Sequence, residues 1–210
     1  MDTTLPDASH ALSAPVPLQL SPFDPMLLHE LYFASLGGNS EPMEPAMALA
    51  LMANFGSVER WREEFAAMGK AHGGGSGVDV DTFMENIHWA RVYERYQQAV
   101  HAASEPFGAT HDEVAGSTLL DVRRAGVFEQ ATAMIPGATW RDPSAVDRWA
   151  SELPAGRGVV VYCVYGHEVG RSTAMRLRAM GLDARYLRGG LDGWQAAGRP
   201  VEAKLPTQSL

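Results

Sequence analysis

The chain has 210 residues, is 46% hydrophobic and carries a formal net charge of −8. The length suits one large domain or two small ones, and the apolar content excludes wholesale disorder. The acidity argues against a general nucleic-acid partner, no apolar run reaches the ~18–20 residues that span a bilayer, and a single cysteine excludes an internal disulfide.

Residues 1–22 are rich in proline and small polar residues and have neither a basic start nor a compact apolar segment. They read as a flexible tail rather than a secretion signal, so a cytoplasmic location with no membrane partner is the default expectation. Four helical stretches follow. Asp24 to Leu36 places Leu27, Leu28, Leu31 and Tyr32 on one face. Glu44 to Phe55 opens with Pro45 in its first turn and stops at Gly56. The third helix starts at Ser57, a suitable N-cap, and carries Val58, Trp61, Phe65 and Met68; the glycine-rich stretch from His72 to Gly77 ends it. The fourth runs from about Asp79 to Ala102, with Val80, Phe83, Met84 and Ile87 at helical spacing. No strand pattern precedes residue 117, so residues 23–103 are expected to form an all-α region.

Residues 104–116 are small, polar and interrupted by proline and glycine, and read as a linker. The rhythm then changes over residues 117–203. Thr118–Val122 predicts a short buried strand, and Ala133–Ala138 a strand edge with a turn. Pro143–Leu153 predicts a helix. Gly158–Val164 is a nearly unbroken β-branched run, as a central parallel strand covered on both faces requires. A helix from about Gly170 to Met180, a strand at Ala184–Leu187 and a short helix around Trp194 complete the pattern. Strands alternating with helices imply an α/β fold with a parallel sheet and helices on both faces. Charge divides along the same line: residues 1–116 hold 5 Lys+Arg and 16 Asp+Glu, residues 117–210 hold 12 and 9. The second half is the better host for a small anion, although arginines coating an amphipathic surface give the same count.

The lone cysteine, Cys163, falls where the central strand runs out and a loop enters a helix, the position at which open α/β sheets bind ligands. Free amides at a helix start favour negative charge, and the thiolate is the reactive form of cysteine. Gly166 and Gly170 would let successive N–H groups turn inward as an anion nest. A small apolar cysteine sealed in the core is the alternative.

Leu119–Arg123 (LLDVR), Ile135–Ala138 (IPGA), Val159–Cys163 (VVVYC), Arg171–Gly181 (RSTAMRLRAMG) and Tyr186–Val201 (YLRGGLDGWQAAGRPV) resemble the rhodanese domain family over residues about 118–203. The resemblance implies a parallel sheet of about five strands, needs no cofactor, and maps the family's active cysteine onto Cys163. It implies sulfur transfer through a cysteine persulfide: a small anionic donor such as thiosulfate loads Cys163, and a thiol or cyanide acceptor unloads it. The loop Val164, Tyr165, Gly166, His167, Glu168, Val169, Gly170, Arg171 and Ser172 becomes the substrate-binding segment, with Asp121 and Arg123 supporting it. The loop departs from the family pattern: Glu168 stands where the usual arginine falls, five positions after the cysteine, and Arg171 comes eight positions after it. Glu168 is expected to face solvent or pair with Arg171. Phosphatases of this fold place arginine six positions after the cysteine, where this chain has Val169, which argues against a phosphate substrate.

Leu28–Gly38 (LHELYFASLGG), Asn54–Phe65 (NFGSVERWREEF), His72–Gly77 (HGGGSG) and Val80–Tyr96 (VDTFMENIHWARVYERY) resemble iron/manganese superoxide dismutases, and one metal-ligating histidine maps onto His29. The other three ligands have no counterpart, because the segments that carry them are missing. One imidazole holds no tuned redox metal, so the resemblance implies a truncated, metal-free helical region. Its apolar faces lack partners, so it is expected to pack on the second domain, form a homodimer, or stay loosely ordered. The readings are therefore a sulfurtransferase, a non-catalytic persulfide carrier or interaction module, and a degenerate metalloprotein.

Overall fold

The computed structural model describes residues 33–38, 40–72 and 80–204. The helices used below are α1 (Pro45–Phe55), α2 (Val58–His72), α3 (Val80–Glu85), α4 (Trp89–Ser104), α5 (Ala125–Gln130), α6 (Val146–Trp149), α7 (Glu168–Ala179) and α8 (Gly190–Ala196). The strands are β1 (Gly108–Ala109), β2 (Thr118–Asp121), β3 (Ala133–Met134), β4 (Thr139–Trp140), β5 (Val159–Tyr162), β6 (Ala184–Leu187) and β7 (Glu202–Ala203).

Five strands form one sheet in the order β1-β6-β5-β2-β4, with every neighbouring pair parallel. The valine run occupies the centre because both of its faces are covered. Val159 and Val161 pack with Leu120, Val122, Trp149 and Leu177 on one face. Val160 and Tyr162 pack with Leu119, Ile135, Leu191 and Trp194 on the other. The alternation is the two-residue period of a strand, with both sets apolar because helices cover both sides. This fold positions Cys163 directly after β5, at the carboxyl edge of the sheet.

Several boundaries differ from expectation. The stretch 104–116, read as a linker, is integral to the α/β domain: β1 pairs in register with β6, and Ser104 and Ala109 are fully buried. A two-residue Gly-Ala strand has no β-branched residues to announce it. The stretch 133–138 contributes β3 to a separate antiparallel pair with β7, while the sheet edge is β4, five residues later. Pro143–Leu153 is a broken run of 3₁₀ and α turns, capped by Asp142, whose Oδ1 accepts from Ser144 N at 2.9 Å. The helix read from Asp79 to Ala102 is two helices, α3 and α4. It breaks at Asn86–His88, where Ile87 bridges to Leu36 and His88 N donates to Ser35 O. Ser57 does cap α2, accepting from Arg60 N at 3.0 Å.

The helical region has found its partner within the chain. α1, α2 and α4 gather around Met47, Leu51, Ile87 and Trp89. α4 then packs along α7, and α1 packs against residues 143–145. Docking on the α/β domain, one of the expected outcomes, is observed. The expected first helix falls largely outside the described residues, as does His29. No helix among the described residues is long and apolar enough to cross a membrane.

Candidate active site

Cys163 is 6% exposed, close to sealed, yet it opens on one concavity. A pocket of about 230 Å³ is lined by Cys163, Val164, Tyr165, His167, Glu168 and Val169 from the loop and α7. Arg123, Arg124 and Val127 line it from the segment after β2, and Tyr93 and Gln97 from α4. The helical region therefore builds one wall of the cysteine pocket, which no reading of either half alone would suggest.

α7 begins at Glu168, two residues earlier than the sequence indicated, so its first turn lies beside the sulfur. The backbone amides of Tyr165 through Gly170 donate to no acceptor among the described residues, as expected for a loop meeting a helix N-terminus. Gly170 lets the turn close on the cysteine, because a β-carbon there would lie 3.3 Å from Cys163 Sγ. Gly166 has φ +69°, and a β-carbon on it would lie 2.7 Å from Leu187 O and 2.8 Å from Gly189 N. The loop is held from behind by α8, whose Leu191 N and Asp192 N donate to Cys163 O and Val164 O at 3.0 and 2.9 Å.

Asp121 and Arg123 support the strand under Cys163 rather than its loop. Arg123 Nε donates to both Asp121 oxygens at 2.9 Å, and Arg123 Nη2 to Ala133 O at 3.0 Å. Tyr162 Oη donates to Asp121 Oδ2 at 3.0 Å and accepts from Ile135 N at 3.2 Å. Burial beside the Asp121 charge pushes the Tyr162 phenol far up, so it stays neutral and remains a donor. This network ties β2 to β5 one residue before the cysteine.

Glu168 neither faces solvent nor pairs with Arg171. It is 9% exposed and accepts from Arg124 Nη2 at 3.0 Å, and more weakly from Tyr93 Oη at 3.4 Å and Ser172 Oγ at 3.5 Å. Burial raises its pKa, while the Arg124 charge opposes that shift. The physical reason is the early helix start. Placing residue 168 in the first turn of α7 turns its carboxylate toward α4 and Arg124, away from the face Arg171 uses.

Arg171, expected to bind substrate, points away from the pocket. Its Nε donates to Gly166 O at 3.0 Å, and its Nη1 reaches Ser104 Oγ and Glu105 Oε2, both at 3.0 Å. Its guanidinium lies 4.2 Å from the Tyr186 ring centroid. It thus ties the cysteine loop to the C-terminal end of α4. Ser172 also lies away from the cysteine, on the face of α7 toward Leu49 and Arg124. Arg171→Ala should lower the urea-unfolding free energy by roughly 1–3 kcal/mol, from four lost donor bonds, one of them a long bond to His101 O and one to a half-exposed acid. Arg171→Lys should recover only part of this, because an ammonium lacks the fork.

Glu105 also accepts from Arg188, and these two arginines, Arg188 first, hold its carboxyl down to about 2 from the ordinary 4.5. A depressed carboxylate contributes stability above its ordinary value and loses it as the pH falls through its folded value. The stability difference between the parent and Glu105→Gln should therefore be full above about pH 4.5 and fade as the pH approaches 2. Urea midpoints across that window check it.

A parallel sheet whose central strand delivers a pocketed cysteine to a helix N-terminus is the arrangement of a rhodanese-like domain, and residues 108–197 match the description of that family. The chain therefore carries a rhodanese-like domain over those residues. Its N-terminal region matches an iron superoxide dismutase of Cupriavidus metallidurans. That match is 34% identical over 125 residues and covers 36% of this chain and 63% of the relative. The covered share of this chain is shorter than the 125 aligned positions, so the relative carries residues within the match that this chain lacks. Similar solved structures include a rhodanese-related protein from Thermoplasma volcanium, 20% identical, covering 45% of this chain and 96% of that one at a TM-score of 0.41. They also include a thiosulfate sulfurtransferase from Pseudomonas aeruginosa, 27% identical, covering 41% of this chain and 16% of that one at a TM-score of 0.37.

A dismutase-type metal does not fit the described residues. No group of three or more His, Cys, Asp or Glu side chains among them could hold an ion. His29 lies outside them.

Proposed function

We propose that the protein is a sulfurtransferase that carries sulfane sulfur as a persulfide on Cys163. The observation that supports this reading is the cysteine itself, which lines a pocket beside a loop whose amides, from Tyr165 to Gly170, donate to no acceptor among the described residues. Membership of residues 108–197 in the rhodanese-like family agrees with it. Cys163 thiolate attacks the outer sulfur of the donor, a sulfur–sulfur bond forms at Cys163, and the donor's remaining fragment leaves with the electron pair of the broken bond. The persulfide anion then sits among the loop amides, which stabilise it as fixed dipoles that need no reorganisation. A nucleophilic acceptor attacks the outer sulfur and returns Cys163 to the thiolate. One cysteine suffices for this cycle.

Trapping decides the matter. The full chain, treated with a sulfane-sulfur donor and digested under non-reducing conditions, should yield the Cys163 peptide heavier by one sulfur atom. Cyanide should remove that sulfur as thiocyanate. A Cys163 peptide that never gains sulfur from any donor overturns the reading.

The non-catalytic reading has one observation in its favour: a buried carboxylate, Glu168, shares the pocket with the cysteine. A stoichiometric persulfide that forms but is not turned over by cyanide or thiols would select the carrier.

A further inference from the structure

Every arginine near the cysteine has a carboxylate partner, although Arg171 shares Glu105 with Arg188. Arg123 is engaged twice by Asp121, Arg124 by Glu168, and Arg171 by Glu105. Two of the three carboxylates, Asp121 and Glu168, are themselves buried. The arginine charges therefore offer little net field to an incoming anion. The remaining source of attraction for negative charge beside Cys163 is the set of loop amides from Tyr165 to Gly170, which have no acceptor among the described residues.

The walls supply the rest. Val127 and Tyr165 stand exposed at the rim, at 46% and 56%, and Tyr93, Val164 and Val169 line the interior. At about 230 Å³ the pocket has room for roughly seven or eight waters' worth of liquid. That is more than a small inorganic oxyanion fills, and it is surface on which such an ion gains nothing. An organic group would fill it, stacking against Tyr93 and Tyr165 and covering the valines.

We infer that the sulfur donor is an organic persulfide of low molecular weight, carrying no more than one negative charge at its sulfur, rather than dianionic thiosulfate. The inference rests on the sulfurtransferase reading. In the loading step Cys163 thiolate attacks the terminal sulfur of R–S–SH. The R–S to terminal-sulfur bond breaks, the Cys163 persulfide forms with the terminal hydrogen retained, and R–S⁻ departs with the electron pair. One negative charge is present before and after, and no oxidant or reductant is consumed. The reverse step, attack by a different organic thiolate on the outer sulfur, uses the same walls, so an organic thiol is the matching acceptor.

The test compares loading of Cys163 in the full chain by thiosulfate and by cysteine persulfide. Each rate constant is divided by that of the same donor with a free small thiol, which removes intrinsic reactivity. A parallel arm presents the persulfide within a short peptide, to separate a small-molecule source from a polypeptide one. The normalised rate should favour free cysteine persulfide over thiosulfate by at least about tenfold, and the peptide-borne persulfide should load more slowly than the free one. A normalised ratio below tenfold, or a faster peptide arm, overturns the inference and leaves the sulfurtransferase reading intact. Loading by no donor defeats both. Glu168→Gln should release Arg124 from its counter-charge and raise thiosulfate loading by about tenfold, with a smaller change for the organic donor. No selective gain for thiosulfate in a folded variant would refute the charge argument, and the wild-type comparison stands without that variant.

Discussion

Cys163→Ser should abolish sulfane-sulfur transfer, by on the order of a thousandfold or more, while leaving the fold in place. Serine differs from cysteine by one atom, so it occupies the 6%-exposed site between β5 and α7 without a clash. Its hydroxyl is far less acidic than a thiol, and among the described residues no side chain is hydrogen-bonded to residue 163. His167 is exposed on the loop and ring-packed with Tyr165 at 5.7 Å. A hydroxyl with no base is a weak nucleophile, and it cannot form the persulfide at all. Thiocyanate production from a sulfane-sulfur donor and cyanide measures the loss, and circular dichroism verifies the fold. Residual turnover above a hundredth of the parent would mean that the sulfur travels by another route.

Gly190→Ala should have the second-largest effect, on stability and activity together. Gly190 has φ +59°, a region that costs a side chain about 1–2 kcal/mol before any contact is considered. A β-carbon there would lie 2.5 Å from Gly166 N and 2.6 Å from both Cys163 O and Val164 O. All three are backbone atoms of the cysteine loop, so no side-chain rotation relieves the clash. The loop and α8 must separate, breaking the bonds from Leu191 N and Asp192 N that hold the loop's carbonyls. A loss of roughly 3–5 kcal/mol is expected from strain and lost bonds together. Denaturant unfolding reads the first effect and persulfide loading the second. Gly126→Ala is the control, since its β-carbon meets open space and the residue lies in a helix.

The site was legible in outline for a local reason. A β-branched run, a cysteine, glycines and a helical pattern lie consecutively between residues 158 and 180, so chain order alone places the cysteine at a strand–helix junction. The Asp121–Arg123 pairing was also visible, because the two are two residues apart at a strand end, but it braces β2 against β5 and not the loop it was expected to support. Arg171 was misjudged because its partners, Ser104 and Glu105, lie 66 or more residues away in a stretch read as a linker. Glu168 was misjudged because its burial depends on Tyr93, 75 residues earlier, and on Arg124. β1 was missed because its pairing with β6 is long-range and its two residues carry no strand preference.

The class of fold, the central strand and the place of Cys163 at a strand–helix junction could be read from the chain alone, because periodicity and turn chemistry act over a few neighbouring residues. Folding in three dimensions sets which charges pair, that α4 forms a wall of the cysteine pocket, and that the helical region packs on the α/β domain at both α7 and residues 143–145. Coulombic pairing and burial are properties of proximity in space, and residues far apart in a chain carry no local mark of whom they will meet.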